Sequence, residues 1–186
     1  RIADHEDAVI RAGVLRARAI LAPDVNQQLS VYLDDPSPVV RATALVTLVA
    51  AGWIKGDDAA TVLRTIAKDA DDDEALALVL SIQEQPHRIH TSLLIEFAQR
   101  ESREVRRETA IAMRAVGSEE FIEPLISMLP VRDVRSEARS ALVSIGEAAL
   151  EALDRALGDE AGAQNVRRHV PRTISRFEPH HAAPIR

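Results

Sequence analysis

The feature that most constrains this chain is a pattern that returns. In "DPSPVVRATALVTLVAAG" (35–52) an apolar-Arg pair, Val40-Arg41, is followed twelve places after Val40 by Gly52. The same interval leads from Val105 to Gly117 and from Val134 to Gly146. Worn copies lead from Ile10 to Ala22, just before Pro23, and from Val166 to Glu178, just before Pro179. One further copy puts Ala75 in the anchor position and lacks the arginine. The anchors at 10, 40, 75, 105, 134 and 166 stand 30, 35, 30, 29 and 32 residues apart. Self-similarity at such a period is the mark of a chain built from stacked units, each one supersecondary element.

Inside the copies the apolar positions keep helical spacing. Four places beyond the anchor lie Val14, Ala44, Ala138 and Val170. Eight places beyond lie Leu48, Met113, Leu142 and Ile174, and eleven beyond lie Leu21, Val116, Ile145 and Phe177. Steps of four, four and three hold one face of an α-helix against a core. The seventh place stays small (Ala17, Thr47, Ala112, Ala141, Thr173), as close helix–helix approach requires. A closing glycine takes the left-handed conformation that ends a helix. Arg41 and its equivalents sit beside the buried face, where a guanidinium can reach carboxylates or carbonyls of loops in a neighbouring unit.

A second kind of helix is predicted between these, over 25–33, 59–67, 90–98, 121–129 and 148–157. Asp24, Asp57 or Asp58, and Ser118 are its expected N-caps, and Pro124 suits a first turn. The fold class that follows is all-α: a right-handed α-solenoid of about five to six helix–turn–helix repeats, each burying its apolar face on the next. Residues 1–186 read as a single domain. Because the chain starts without methionine, it is expected to be excised from a longer protein.

The stretches "DPSPVVRATA" (35–44), "SREVRRETA" (102–110) and "VRDVRSEARSALVSIG" (131–146) resemble HEAT repeats, in the short form also found in phycobilin-lyase-like proteins. The resemblance covers nearly the whole chain and implies an interaction scaffold. A narrower one rests on "ALEALDRALGDEAGAQNVRRHVPRTISRF" (149–177), which is similar to the HEAT segment of bacterial multidomain proteins with a nucleotide-transporter-like membrane domain. It implies a soluble regulatory module attached to such a membrane protein.

Catalytic signatures are missing. Neither a Gly-rich phosphate loop nor a G-x-S-x-G elbow occurs, and "DADDDE" (69–74) lacks the glycine of a calcium loop. It reads as a solvated loop. His5-Glu6 resembles the His-Glu pairs with which deoxyhypusine hydroxylases hold two irons, but it occurs once and one pair builds no such centre. His87 and His90, and His180 and His181, lack a third ligand nearby and read as surface residues. Trp53, at an inter-helix turn, reads as cover for the core edge. There is no cysteine, so disulfides, thiolate metal sites and thiol nucleophiles are excluded. No cofactor, metal or catalytic residue is expected, and the chain reads as a non-enzyme.

Charge gives the one surface signal. The net charge is −6 and only 3% of residues are aromatic, a poor match to nucleic-acid binding. Residues 163–186 nevertheless hold five arginines against Glu178, for +4, while residues 57–74 carry −5. Arg168, Arg172 and Arg176 stand four apart and so are expected to line one helix face. There they either dock an acidic partner, a phosphate-bearing ligand or an anionic membrane surface, or form the solvated side of the last complete unit or pair with carboxylates of the next. Pro171 should kink that helix. The expected function is a non-catalytic scaffold for another protein, or another domain of the same polypeptide, along the face of the second helices. The alternatives are the transporter-linked module and, from another class, a bilin-lyase-like or DNA-glycosylase-like solenoid. The longest uncharged run, 42–54, falls short of the roughly 20 residues a bilayer span needs. A cytoplasmic location follows as an expectation, with tethering to a membrane domain in the full-length protein.

Overall fold

Apolar spacing of three and four residues produces helices and nothing else in the computed structural model, which describes residues 5–21, 23–53, 56–159 and 163–177. Ala22, Glu178, Pro179, His180 and His181 lie outside the described residues. The chain divides into two compact units, residues 1–93 and 94–186.

In the first unit, α1 (Ala8–Leu21) leads into a 3-10 helix (Pro23–Asp34), followed by α2 (Pro38–Ala50), α3 (Gly56–Asp69) and α4 (Asp72–Glu84). A short 3-10 turn, Arg88–His90, opens the next helix, α5 (Thr91–Phe97). Helix α2 is the centre of this unit. It packs on α1, on the 3-10 helix and on α4, and Val40 and every residue from Ala42 to Val49 are buried. A helix apolar on all sides belongs inside. Its core partners are Leu15 and Leu29, which cluster with Val40, Ala44 and Leu48. The two threonines of α2 do not waste their hydroxyls. Thr43 donates to the Val39 carbonyl at 2.8 Å and lies 3.3 Å from Ser81 Oγ, and Thr47 Oγ1 accepts from Gln85 Nε2 at 3.0 Å.

The second unit repeats the scheme. Helix α6 (Arg103–Val116) packs on α8 (Arg135–Ile145), and α7 (Ile122–Met128) packs on α8 and on α9 (Glu147–Gly158). After α9 come two short pieces, α10 (Gln164–Arg167) and α11 (Val170–Ile174), with α11 against α9. First helices thus lie on first helices and second on second, the arrangement that buries repeated apolar faces. Anchors Val40, Ala75, Val105 and Val134 are each at most 1% exposed.

The punctuation is where the spacing put it. Gly52, Gly117 and Gly146 have φ of 73°, 67° and 89°, the region that favours glycine. Asp71 caps α4, its carboxylate accepting from the Glu74 amide at 2.9 Å, so most of "DADDDE" is a helix end and a first turn rather than a loop. Ser102 caps α6 and Ser118 caps the 3-10 turn before α7.

Several expectations are corrected. The second helix over 25–33 is wound as a 3-10 helix. Asp24 lies inside it, and Asp57 and Asp58 lie inside α3, because these helices start earlier, at Pro23 and Gly56. Proline with its preset φ is well suited to such a start. The first copy departs from the rest: Ile10 is 42% and Leu21 83% exposed, since α1 packs on the 3-10 helix and α2 with these residues turned away from both. Trp53 keeps 46% exposure, so only part of it packs at the turn.

A candidate site of converging arginines

Three of the repeat arginines, Arg11, Arg41 and Arg135, reach loops from their places beside the buried face. Arg41 donates to the carbonyls of Asp35 at 2.8 Å and Pro36 at 3.0 Å, and pairs with Glu74 in the following hairpin. Arg135 donates to the carbonyls of Leu129 and Pro130. Arg11 holds the Asp35 carboxylate and the carbonyls of His5 and Glu6. Elsewhere, arginines of α6 meet acids one repeat later: Arg103 with Asp133 at 3.0 Å, and Arg107 with Glu137 at 3.4 Å.

At the next junction this pairing fails. Arg139 on α8 projects toward α11, where the structure offers the Thr173 hydroxyl as acceptor at 3.1 Å and no carboxylate among the described residues. Arg139 is 6% exposed. Burial, and then the charges of Arg176, Arg135 and Arg172, hold its pKa below the ordinary arginine value. His169 adjoins them. Burial, then Arg135, Arg168 and Arg139, push its imidazole pKa down, and the neutral ring accepts a hydrogen bond from Arg168 Nε at 3.2 Å.

Of the three arginines singled out in the sequence, Arg172 and Arg176 therefore belong to one cluster and Arg168 to its edge. They do not line a single helix face. The chain turns at Arg168 and His169, and a new helix starts at Val170 with Pro171 in its first turn. A proline ring there clashes with a continuing helix, which accounts for the break. Arg135 and Arg139 were missed because α8 reads as an ordinary amphipathic helix. The signal available was the count of arginines at one junction against its count of acids. The cluster is contributed by α8, α11 and the turn after α11, none of them a second helix.

Two other features carry chemistry. An apolar cavity of about 410 Å³ in the first unit is lined by Leu33, Ala42, Leu45, Val62, Ile66 and Leu78, with Arg41 and Glu74 beside them. His90, expected at the surface, is fully buried. It shares a spacing with Leu93, Leu94 and Phe97, all 0% exposed, and that helical stripe carries it inward. Neither ring nitrogen has a hydrogen-bond partner among the described residues. Burial, and then the neighbouring His87, lower its pKa to about 4.

The stacked hairpins and their arginine-to-loop bonds agree with a family comparison: the HEAT-repeat model matches residues 1–83 and 68–143. The chain is a HEAT-repeat protein. HEAT repeats generally mediate protein–protein interaction and typically serve as non-catalytic scaffolds. No curated protein matches this HEAT chain. Among its described residues no helix is long and apolar enough to cross a membrane.

Proposed function

We propose that this HEAT-repeat protein is a non-catalytic scaffold that docks an acidic partner protein, or an acidic domain of its own polypeptide, on the arginine cluster of the second unit. The observation that carries this reading is Arg139, a nearly buried guanidinium that bonds to Thr173, feels the charges of Arg176, Arg135 and Arg172, and meets no carboxylate among the described residues. A buried charge is normally paired, and like charges gathered at one place lower stability, so an arrangement of this kind favours an anion from outside. Arginine forks bind oxyanions bidentately and hold them in a set geometry. The small side chains between helices and the shallow surfaces of stacked hairpins add contacts without a deep pocket.

Affinity capture with the wild-type chain and with an Arg172→Gln/Arg176→Gln double variant tests the proposal. The wild type should retain an acidic partner that the double variant releases, and raised salt should weaken the complex. A set of captured proteins that is the same for both baits, or indifferent to salt, would count against it.

A further inference from the structure

The chemistry of the docked group can be specified. Arg139 uses its Nε on Thr173 and makes no other hydrogen bond among the described residues. In the first unit, by contrast, the half-buried guanidiniums of Arg11 and Arg41 each meet a carboxylate of the same chain, Asp35 and Glu74. One carboxylate has two oxygens and a single charge, enough for one guanidinium fork. The Thr173 that Arg139 meets stands next to Arg172 and three residues before Arg176, both exposed, and Arg135 lies a turn away on α8; the charges of all three act on Arg139. A phosphoryl group carries a charge of about −1.5 to −2 and three acceptor oxygens. That matches a buried guanidinium with two exposed ones on the adjoining segment better than a single carboxylate does. A phosphorylated side chain also ends in a tetrahedral head on a narrow stem, a shape that can pass exposed arginines to reach a recessed one.

We infer that Arg139, Arg172 and Arg176 form a receptor for a phosphoryl group borne by a side chain of the partner protein, with Arg135 adding charge behind them. This rests on the acidic-partner reading and narrows it. His169 is a built-in reporter. Its ring faces Arg135, Arg168 and Arg139, so a bound dianion that offsets their charge raises the imidazole pKa.

The test follows the arginine Nε–Hε signals and the His169 ring by NMR. Four probes are titrated into the whole chain: a Gly-Ser peptide carrying one phosphoserine, its glutamate twin, inorganic phosphate, and phosphatidylserine vesicles. The phosphoserine peptide should move the Arg139 signal and raise the His169 pKa, saturating at concentrations about tenfold lower than the glutamate twin. Arg172→Gln/Arg176→Gln should abolish the response, and Arg139→Gln likewise. Because Arg172 and Arg176 are exposed, the double variant keeps its fold and decides the matter even where Arg139→Gln does not. Equal binding of the glutamate twin would overturn the phosphoryl assignment and leave the acidic partner standing. Binding by neither peptide would sink both readings. Inorganic phosphate saturating as tightly as the phosphopeptide would overturn a protein-borne source, as would a response to vesicles alone.

Discussion

Arg11 grips Asp35 with two parallel hydrogen bonds, Nε to Oδ2 at 3.2 Å and Nη2 to Oδ1 at 2.8 Å, across a separation of 24 residues. The same carboxylate accepts from the Ser37 amide at 2.8 Å, so one acid ties α1 to the turn that launches α2. Burial by itself would raise the Asp35 pKa, but the Arg11 and Ser37 hydrogen bonds and the charges of Arg11 and Arg41 outweigh it and hold it below the usual value. The folded state therefore favours the ionised form. Its contribution is present above the unfolded-state pKa and is lost as pH falls through the folded one. Asp35→Asn should lower unfolding free energy by about 1–2 kcal/mol at neutral pH, and the gap from wild type should close in acid. Urea melts of both proteins at several pH values measure this.

His90 gives the opposite residue type with the same direction of pH dependence. A histidine held near a pKa of about 4 when folded and near 6.5 when unfolded binds more protons in the unfolded state between those values. Stability linked to it is full above the unfolded value and declines as pH drops toward 4. His90→Leu should match or exceed the wild type at pH 8, because it removes two unpartnered nitrogens. Its advantage should grow by about 3 kcal/mol toward the acid limit. A constant difference across pH would show that folding leaves the imidazole pKa where it stands in the unfolded chain.

Gly117 ends α6 with φ 67°, and its amide donates to the Met113 carbonyl at 2.9 Å. An added Cβ would meet nothing within 4 Å, so substitution is opposed by the backbone alone. Gly117→Ala should destabilise by about 1 kcal/mol and Gly117→Asn by less, since asparagine tolerates the left-handed region. Thermal unfolding of the two variants separates these values.

Ala42 lines the cavity beside Leu45 and Leu78 and is 4% exposed. Ala42→Leu should fill part of that space and raise stability by about 1 kcal/mol. Leu45→Ala should widen it and cost about 2–5 kcal/mol. A destabilised Ala42→Leu protein would mean that the space is closed in solution.

Much of the fold was legible because burial recurs with a fixed spacing. Val40, Val105 and Val134 are inside, and the glycines after them take positive φ, since both properties are local. The candidate site was only half legible. Arg172 and Arg176 stood out as a charge run, but helix spacing placed them with Arg168 on one face, and Pro171 broke that face. Arg139 gave no sign in its own helix. Its role comes from Thr173, 34 residues later, and only packing brings the two together. His90 was read by its distance from His87 rather than by the stripe it shares with Leu93, Leu94 and Phe97. The 3-10 winding of Pro23–Asp34 follows from no pattern of apolar residues.

Within residues 1–93, Arg11 bonds to Asp35 across 24 positions and Thr47 to Gln85 across 38; within 94–186, Arg103 bonds to Asp133 across 30 and Arg139 to Thr173 across 34. Every one of these ties closes a short segment, so forming it sacrifices little chain entropy and does not wait for distant regions to assemble. Order can spread from any starting hairpin, and it can be lost piecemeal. A ligand clasped at one seam would slow deuterium uptake in the adjoining helices and leave remoter ones exchanging as before. Rigidity in such a chain is acquired locally, one seam at a time.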